Sequence, residues 1–303
     1  MLLLSQDLPL LITLLCAAVT SVLAGSLLLP RGQIMISEAA SHAVLPGLIL
    51  GFVFSGQHGL TALLGSALAI GLFVGGVGWF RTRHSLGAGV EIAALFPLFF
   101  GVGILLLSVT GLEDTGTIDV DHILFGSLEL LIWFEIGQWG DILRPRAWTS
   151  APPQMVTAMV SLAVSLTLLV LAYPFLNRVL IDRHHAGLFT PVSTACVRLL
   201  ETIAIALAAA ACLRSAGVVV AVALFSGPVI AAWSFARSLW QVWLFGTLVA
   251  VLGVVLTYAV SMLTLAVFEI EARLSGVLAL WLVVLALLAP LVARTFGSNR
   301  PLP

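Results

Sequence analysis

Apolar runs long enough to cross a bilayer recur along almost the whole of this 303-residue chain. A spanning helix needs about 20 mostly apolar residues, and about nine such runs can be placed, near residues 8–29, 33–55, 60–80, 90–110, 156–176, 196–213, 216–235, 240–268 and 276–296. In hydrocarbon every backbone amide and carbonyl must find a partner inside the protein, which a single segment achieves only as a helix. The sequence therefore predicts an all-α, polytopic integral membrane protein with about 8–9 transmembrane helices. Composition agrees, with 61% hydrophobic residues, 9% charged residues and a mean hydropathy of +1.17. The first run lacks a basic flank and is followed by Pro30-Arg31 instead of a small-residue cleavage site, so it reads as a retained helix. No polar stretch is long enough for a soluble module, and residues 1–303 are read as one membrane domain.

The charges orient that domain. All 13 basic residues are arginine. With the N-terminus outside, Arg31, Arg81, Arg83, Arg178, Arg183, Arg198, Arg237, Arg294 and Arg300 fall on or near the cytoplasmic side, and Arg144, Arg146, Arg214 and Arg273 fall opposite. Two polar connections stand out on this topology. Residues 111–153 form an extracytoplasmic acidic loop, whose apolar stretch Ile123 to Trp139 is read as a short interfacial or re-entrant helix with Trp133 and Trp139 at headgroup level. Residues 177–192 form a cytoplasmic connection suited to docking a partner. Cys16, Cys196 and Cys212 lie far apart within apolar runs, which excludes a disulfide framework and reads as small core residues. The net charge of −1 says nothing about nucleic acid, but no basic patch with interleaved aromatics is present, so no nucleic-acid partner is expected.

Chemistry concentrates in Ser37-Glu38-Ala39-Ala40-Ser41-His42-Ala43-Val44-Leu45-Pro46-Gly47. Residues four apart stack on one helix face, so Glu38 and His42 offer an oxygen and a nitrogen ligand to one point, with Ser37 and Ser41 as a second polar stripe. Ionisable groups at membrane depth are costly enough to imply function, and a divalent metal ion is the partner this pair predicts. A structural alternative places Glu38 at the interface with His42 bonded to a carbonyl. Breaks at Pro46-Gly47, Pro97 and Gly227-Pro228 free backbone carbonyls of the kind that line pathways.

The segment Ser41-His42-Ala43-Val44-Leu45-Pro46-Gly47 resembles the membrane permease subunits of the manganese, zinc and iron ABC importers. Asp121-His122-Ile123-Leu124-Phe125-Gly126-Ser127, the run Ala216 to Leu224 and Gly227-Pro228 are similar to further elements of that family. The resemblance implies a permease with no catalytic activity and no permanently bound cofactor, which passes manganese, zinc or iron as transported substrate. It implies a multi-pass protein of a prokaryotic plasma (inner) membrane. Its expected partners are a cytoplasmic ATP-binding subunit, an extracytoplasmic metal-binding protein and a second permease subunit, as a homodimer or heterodimer. The family's Asp and His map onto Glu38 and His42, so glutamate replaces aspartate here. The family's cytoplasmic coupling helix maps onto Asp182, Arg183, His184, His185 and Ala186, without its usual proline. ATP hydrolysis falls to a separate subunit, since a Walker A loop needs a lysine and the chain has none.

Other charges admit local readings. Arg198 and Glu201, three apart, predict an ion pair on one helix face. Asp119, Asp121 and His122 form a second cluster with ligand chemistry, for metal entry or receptor docking, and Asp121 equally suits a helix cap. Two rival functions remain at this stage. A proton-coupled secondary metal transporter would need the same buried pair. An intramembrane metalloenzyme would need a third ligand and a His-Glu-x-x-His pattern, which the sequence lacks.

Overall fold

The computed structural model describes residues 4–55, 60–83, 89–112, 126, 128–181, 191–213, 215–269 and 273–295. Among these residues lie nine α-helices and no β-strand: α1 (Leu4–Leu28), α2 (Met35–Ser55), α3 (Leu60–Arg83), α4 (Val90–Thr110), α5 (Pro153–Ile181), α6 (Pro191–Leu213), α7 (Gly217–Trp233), α8 (Leu239–Phe268) and α9 (Leu274–Thr295). Seven of the described helices are long and apolar enough to cross a bilayer; α7 is a shorter apolar helix of 17 residues. The protein is thus a polytopic all-α membrane protein.

The helices separate into enclosed and peripheral ones. Most of α1 and α2 is buried, as is α7 from Gly217 to Trp233, whereas α4, α8 and α9 are largely open. The open helices show Leu98, Leu105, Val109, Leu252, Leu263 and Leu287 at their surfaces, as a lipid-facing helix requires. Two apolar cores result. One joins α1 to α5, α6, α7, α8 and α9 around Leu14, Leu23, Phe225 and Trp243. The other joins α2, α3 and α4 to parts of α6 and α7 around Ile49, Ile70, Phe73 and Leu107.

Close backbone approach supports the enclosed helices. A methyl group on Gly47 would overlap the carbonyl oxygen of Gly65, and one on Gly65 would overlap that of Gly47, so α2 and α3 meet backbone to backbone. Small residues permit such contact where lipid supplies no hydrophobic drive between helices. Buried polar groups are tied down locally: Trp243 Nε1 donates to Ser26 Oγ at 2.8 Å, and Ser21 Oγ lies 3.1 Å from Cys212 Sγ. Cys212 is buried, Cys16 is partly buried and Cys196 is exposed, all of them free thiols. The expectation of a core cysteine fails at position 196, which sits on an outer face of α6.

Opposite ends of the bundle gather the segments that alternating spans require. At one end Trp133 N donates to Ser5 O at 2.7 Å, joining the long loop to the start of α1. Gly126, at φ +82°, lies against the backbone of Ser215 and Ala216 between α6 and α7, in a space too tight for any side chain. At the other end Leu239 N donates to Asn177 Oδ1 at 3.1 Å, joining α8 to α5.

The described part of the long loop differs from expectation. From Leu128 it runs through short 3-10 turns, Leu128–Leu130, Trp139–Leu143 and Pro145–Ser150, instead of an α-helix. Trp133 is fully buried and donates through Nε1 to Ala147 O at 2.7 Å, so it anchors the loop on α1 and α5. Trp139 is exposed, as a headgroup-level residue would be.

Candidate metal site on the second helix

The chain reaches the site through a sharp turn. Gly32 adopts φ +64°, a left-handed conformation that glycine takes without steric cost, and its amide donates to Leu29 O. The turn ends the first span and lets α2 begin at Met35. Glu38 stands in the first turn of α2, where the free amides of a helix N-terminus favour negative charge. One turn further lies His42. Glu38 is exposed and His42 half-buried, while Ala39, Ala40, Ala43 and Val44 between and beyond them are buried against the neighbouring helices.

His42 is held by aromatic rings. Its imidazole lies 5.1 Å from the Phe96 ring centroid at an interplanar angle of 71°, and 5.3 Å from Phe100 at 84°. The two phenyl rings are nearly parallel to each other, 6.1 Å apart with an angle of 14°. Edge-to-face contacts of this kind contribute about 0.5–1.5 kcal/mol each beyond area burial. Phe96 and Phe100 are four apart on α4, hence on one face, while Phe99 turns instead to Phe73 of α3 at 5.5 Å. Sequence reasoning missed this pair; the Phe-x-x-x-Phe spacing opposite a polar segment was its only trace.

Ser37 and Ser41 do not form a polar stripe toward the site. Both are buried and donate to their own helix, Ser37 Oγ to Ile34 O at 2.5 Å and Ser41 Oγ to Ser37 O at 2.8 Å. Their hydroxyls are committed to backbone acceptors, as serine within a helix often is.

Two other carboxylates on the membrane helices are buried, each 3% exposed, and each has an arginine. Glu91 accepts from Arg81 Nε at 2.8 Å. Glu201 pairs with Arg31, which closes the first span onto α6. The expected Arg198–Glu201 pair is therefore replaced: Arg198 is exposed, with its guanidinium beside Gly78 of α3, and the carboxylate turns to a residue 170 positions away. Helix-face spacing allowed the local pair, but the guanidinium that bonds the enclosed carboxylate is that of Arg31. Glu38 makes no ion pair among the described residues.

Among the described residues no group of three or more His, Cys, Asp or Glu lies close enough to hold a metal ion. Glu38 and His42 by themselves supply two potential donor groups, one oxygen and one nitrogen. Asp119, Asp121, His122 and the coupling residues Asp182, Arg183, His184, His185 and Ala186 lie outside the described residues. Near the pair, an apolar cavity of about 630 Å³ lies between α2, α3 and α4, lined in part by Pro46, Leu50 and Phe54, which continue the i, i+4 series of Glu38 and His42 along α2.

These features define a class, a polytopic helical membrane protein with an ionisable pair on an enclosed helix. Comparison with known proteins places it more narrowly. The sequence profile of the ABC 3 transport family matches residues 8–136, a stretch that contains α2 and α4. A manganese import system permease protein, ScaB of Streptococcus parasanguinis, is 25% identical over 83% of this chain and 81% of its own length. The manganese transport system membrane protein MntC of Bacillus subtilis is 36% identical over 40% of this chain, and an uncharacterized membrane protein of Cyanophora paradoxa is 37% identical over 38%. The chain spans only 28% and 36% of the lengths of these last two relatives. In fold, the chain matches the solved structure of PsaBC from Streptococcus pneumoniae in complex with Fab, with a TM-score of 0.70 over 92% of this chain and 89% of that one, at 21% identity. Over residues 8–136 the chain is thus similar to the ABC 3 transport family.

Proposed function

We propose that the chain is the membrane-spanning permease subunit of an ABC importer for divalent transition-metal ions, with Glu38 and His42 as ligands that the cargo passes. The observation that carries this reading is the unneutralised Glu38 one turn from His42, on an enclosed helix whose neighbours neutralise Glu91 and Glu201 with arginine. A carboxylate without a cation of its own is suited to receive one in transit. Manganese is the favoured cargo, because the relatives ScaB and MntC are manganese import proteins and a carboxylate suits an ion that prefers oxygen donors. A transport site must also release its ion, and two donors from one chain serve that need better than a closed cage.

In this reading a separate ATPase docks the connection between α5 and α6, residues 182–188, and an extracytoplasmic metal-binding protein delivers the ion. A second permease subunit completes the ligand set across the pathway. The acidic cluster Asp119, Asp121 and His122 serves metal entry or receptor docking on the extracytoplasmic side. Replacing His42 by Ala is expected to abolish manganese accumulation in cells while membrane expression stays at the wild-type level. Undiminished uptake by that variant overturns the assignment.

A further inference from the structure

We propose that Phe96 and Phe100 are positioning residues for metal capture: together they fix the imidazole of His42 so that it meets the cargo in one orientation. The proposal rests on the reading of His42 as a ligand of the transported ion. Its own evidence is the geometry of three rings. The imidazole stands at 71° and 84° to two phenyl rings that are themselves within 14° of parallel, with both centroids within 5.3 Å. A single ring contact leaves an imidazole free to tilt. Two contacts from rings one helical turn apart restrict χ1 and χ2 together, because rotation of either angle drives the imidazole into one phenyl or the other.

Metal-binding histidines usually owe their orientation to a hydrogen bond from the second ring nitrogen to a carboxylate or carbonyl. Among the described residues neither nitrogen of His42 has such a bond, and the phenyl pair takes over the task. The substitution suits transit. A hydrogen-bonded carboxylate makes the imidazole more basic and holds the metal more tightly, whereas apolar rings orient the ligand without adding charge. Phe96 and Phe100 lie on α4 and His42 on α2, so a shift between these helices would release the ring and loosen the ligand. The chemical class served is a divalent cation that accepts an imidazole nitrogen.

The test uses the permease assembled with its ATPase and titrated with manganese(II) alone, with free ion followed by electron paramagnetic resonance. Coordinated nitrogen is read from its hyperfine coupling to the bound ion. The variant F96L/F100L is expected to bind manganese about 10–100-fold more weakly, the range typical of lost ligand support, and to lose the nitrogen coupling. The variant F96Y/F100Y, which keeps both rings, is expected to restore affinity and coupling. Phe100→Leu alone gives the same reading if the double variant does not assemble. Wild-type affinity and coupling in the leucine variants overturn the proposal, and so does a loss that the tyrosine variant fails to rescue, since that marks packing alone. A wild-type protein whose bound manganese shows no coupling removable by His42→Ala overturns the ligand reading itself, and this proposal with it.

Discussion

Glu38 and Glu201 are both carboxylates on membrane helices, and the structure treats them in opposite ways. Glu201 is enclosed, 3% exposed, and closed off by Arg31 from the end of the first span. Glu38 is exposed on its helix and has His42 as its ionisable neighbour. Burying a charge is costly unless it is paired, so the Arg31–Glu201 pair reads as architecture: it ties the turn after α1 to α6. Glu91 with Arg81 repeats the pattern between α3 and α4. Against these two, Glu38 has no arginine partner among the described residues, and its contribution to the fold is limited to its favourable place in the first turn of α2. On the proposed reading, charge in this protein serves two separate ends, and pairing separates them better than sequence position does.

The largest expected effect tests that separation. Arg31→Leu leaves Glu201 buried without its cation and is expected to cost about 3–5 kcal/mol, seen as a lower thermal midpoint and lower yield in detergent. The double change Arg31→Leu and Glu201→Leu should recover most of that loss, because an apolar pair of similar volume avoids the desolvation cost altogether. Glu38→Leu should leave the midpoint near wild type while manganese uptake is lost. Equal destabilisation by Glu38→Leu and Arg31→Leu would erase the distinction.

How much of this was legible beforehand follows from the physics of each feature. The helices were, since each must carry about 20 apolar residues and a run of that length shows directly. Glu38 and His42 were legible because i, i+4 stacking is a local rule. The partner of Glu201 was not: the same rule offered Arg198, and the choice of Arg31 depends on how α1 and α6 pack. Phe96 and Phe100 were hidden in a run already explained by lipid. Trp133 looked like an interfacial residue because its amphipathic ring fits both a headgroup layer and a buried site with an acceptor, and Ala147 O supplies the latter. The 3-10 turn Trp139–Leu143 is closed locally by a reciprocal box between Gln138 and Asp141, which no apolar period announces.

A middle-sized effect sharpens the comparison from the side of selectivity. Glu38 stands where the resembling family carries aspartate, and the extra methylene moves the carboxylate oxygen further from the helix axis. Ligand distances are tolerated within about 0.2 Å, so on the proposed reading the change would alter which ion the two donors fit. Glu38→Asp is expected to retain uptake and to shift the ratio of manganese to zinc transport severalfold. Uptake assays with each ion decide it, and an unchanged ratio would place selectivity in the delivering protein.

The smallest effect concerns a carboxylate with partners but only partial burial, which completes the series. Asp141 lies half-buried in the loop and accepts from the amides of Gln138 at 2.9 Å and Gly137 at 3.2 Å, with Arg144 Nη1 at 2.9 Å from its other oxygen. The backbone amides, reinforced by the nearby guanidinium, hold its pKa below the ordinary carboxylate range. A group whose pKa is lower folded than unfolded stabilises the fold above its unfolded value, about 3.9, and that contribution fades as pH falls through the lower folded value. Hydrogen-exchange protection of the Gly137 and Gln138 amides, corrected for intrinsic rates, is therefore expected to stay level from neutral pH down to about 4 and to decline only below it. Asp141→Ala should lower that protection a few-fold at neutral pH and flatten its pH dependence, with manganese uptake and the global thermal midpoint unchanged. Loss of transport in this variant would show that partnered carboxylates outside the membrane also serve the pathway, and would break the division between structural and functional charge drawn from Glu201 and Glu38.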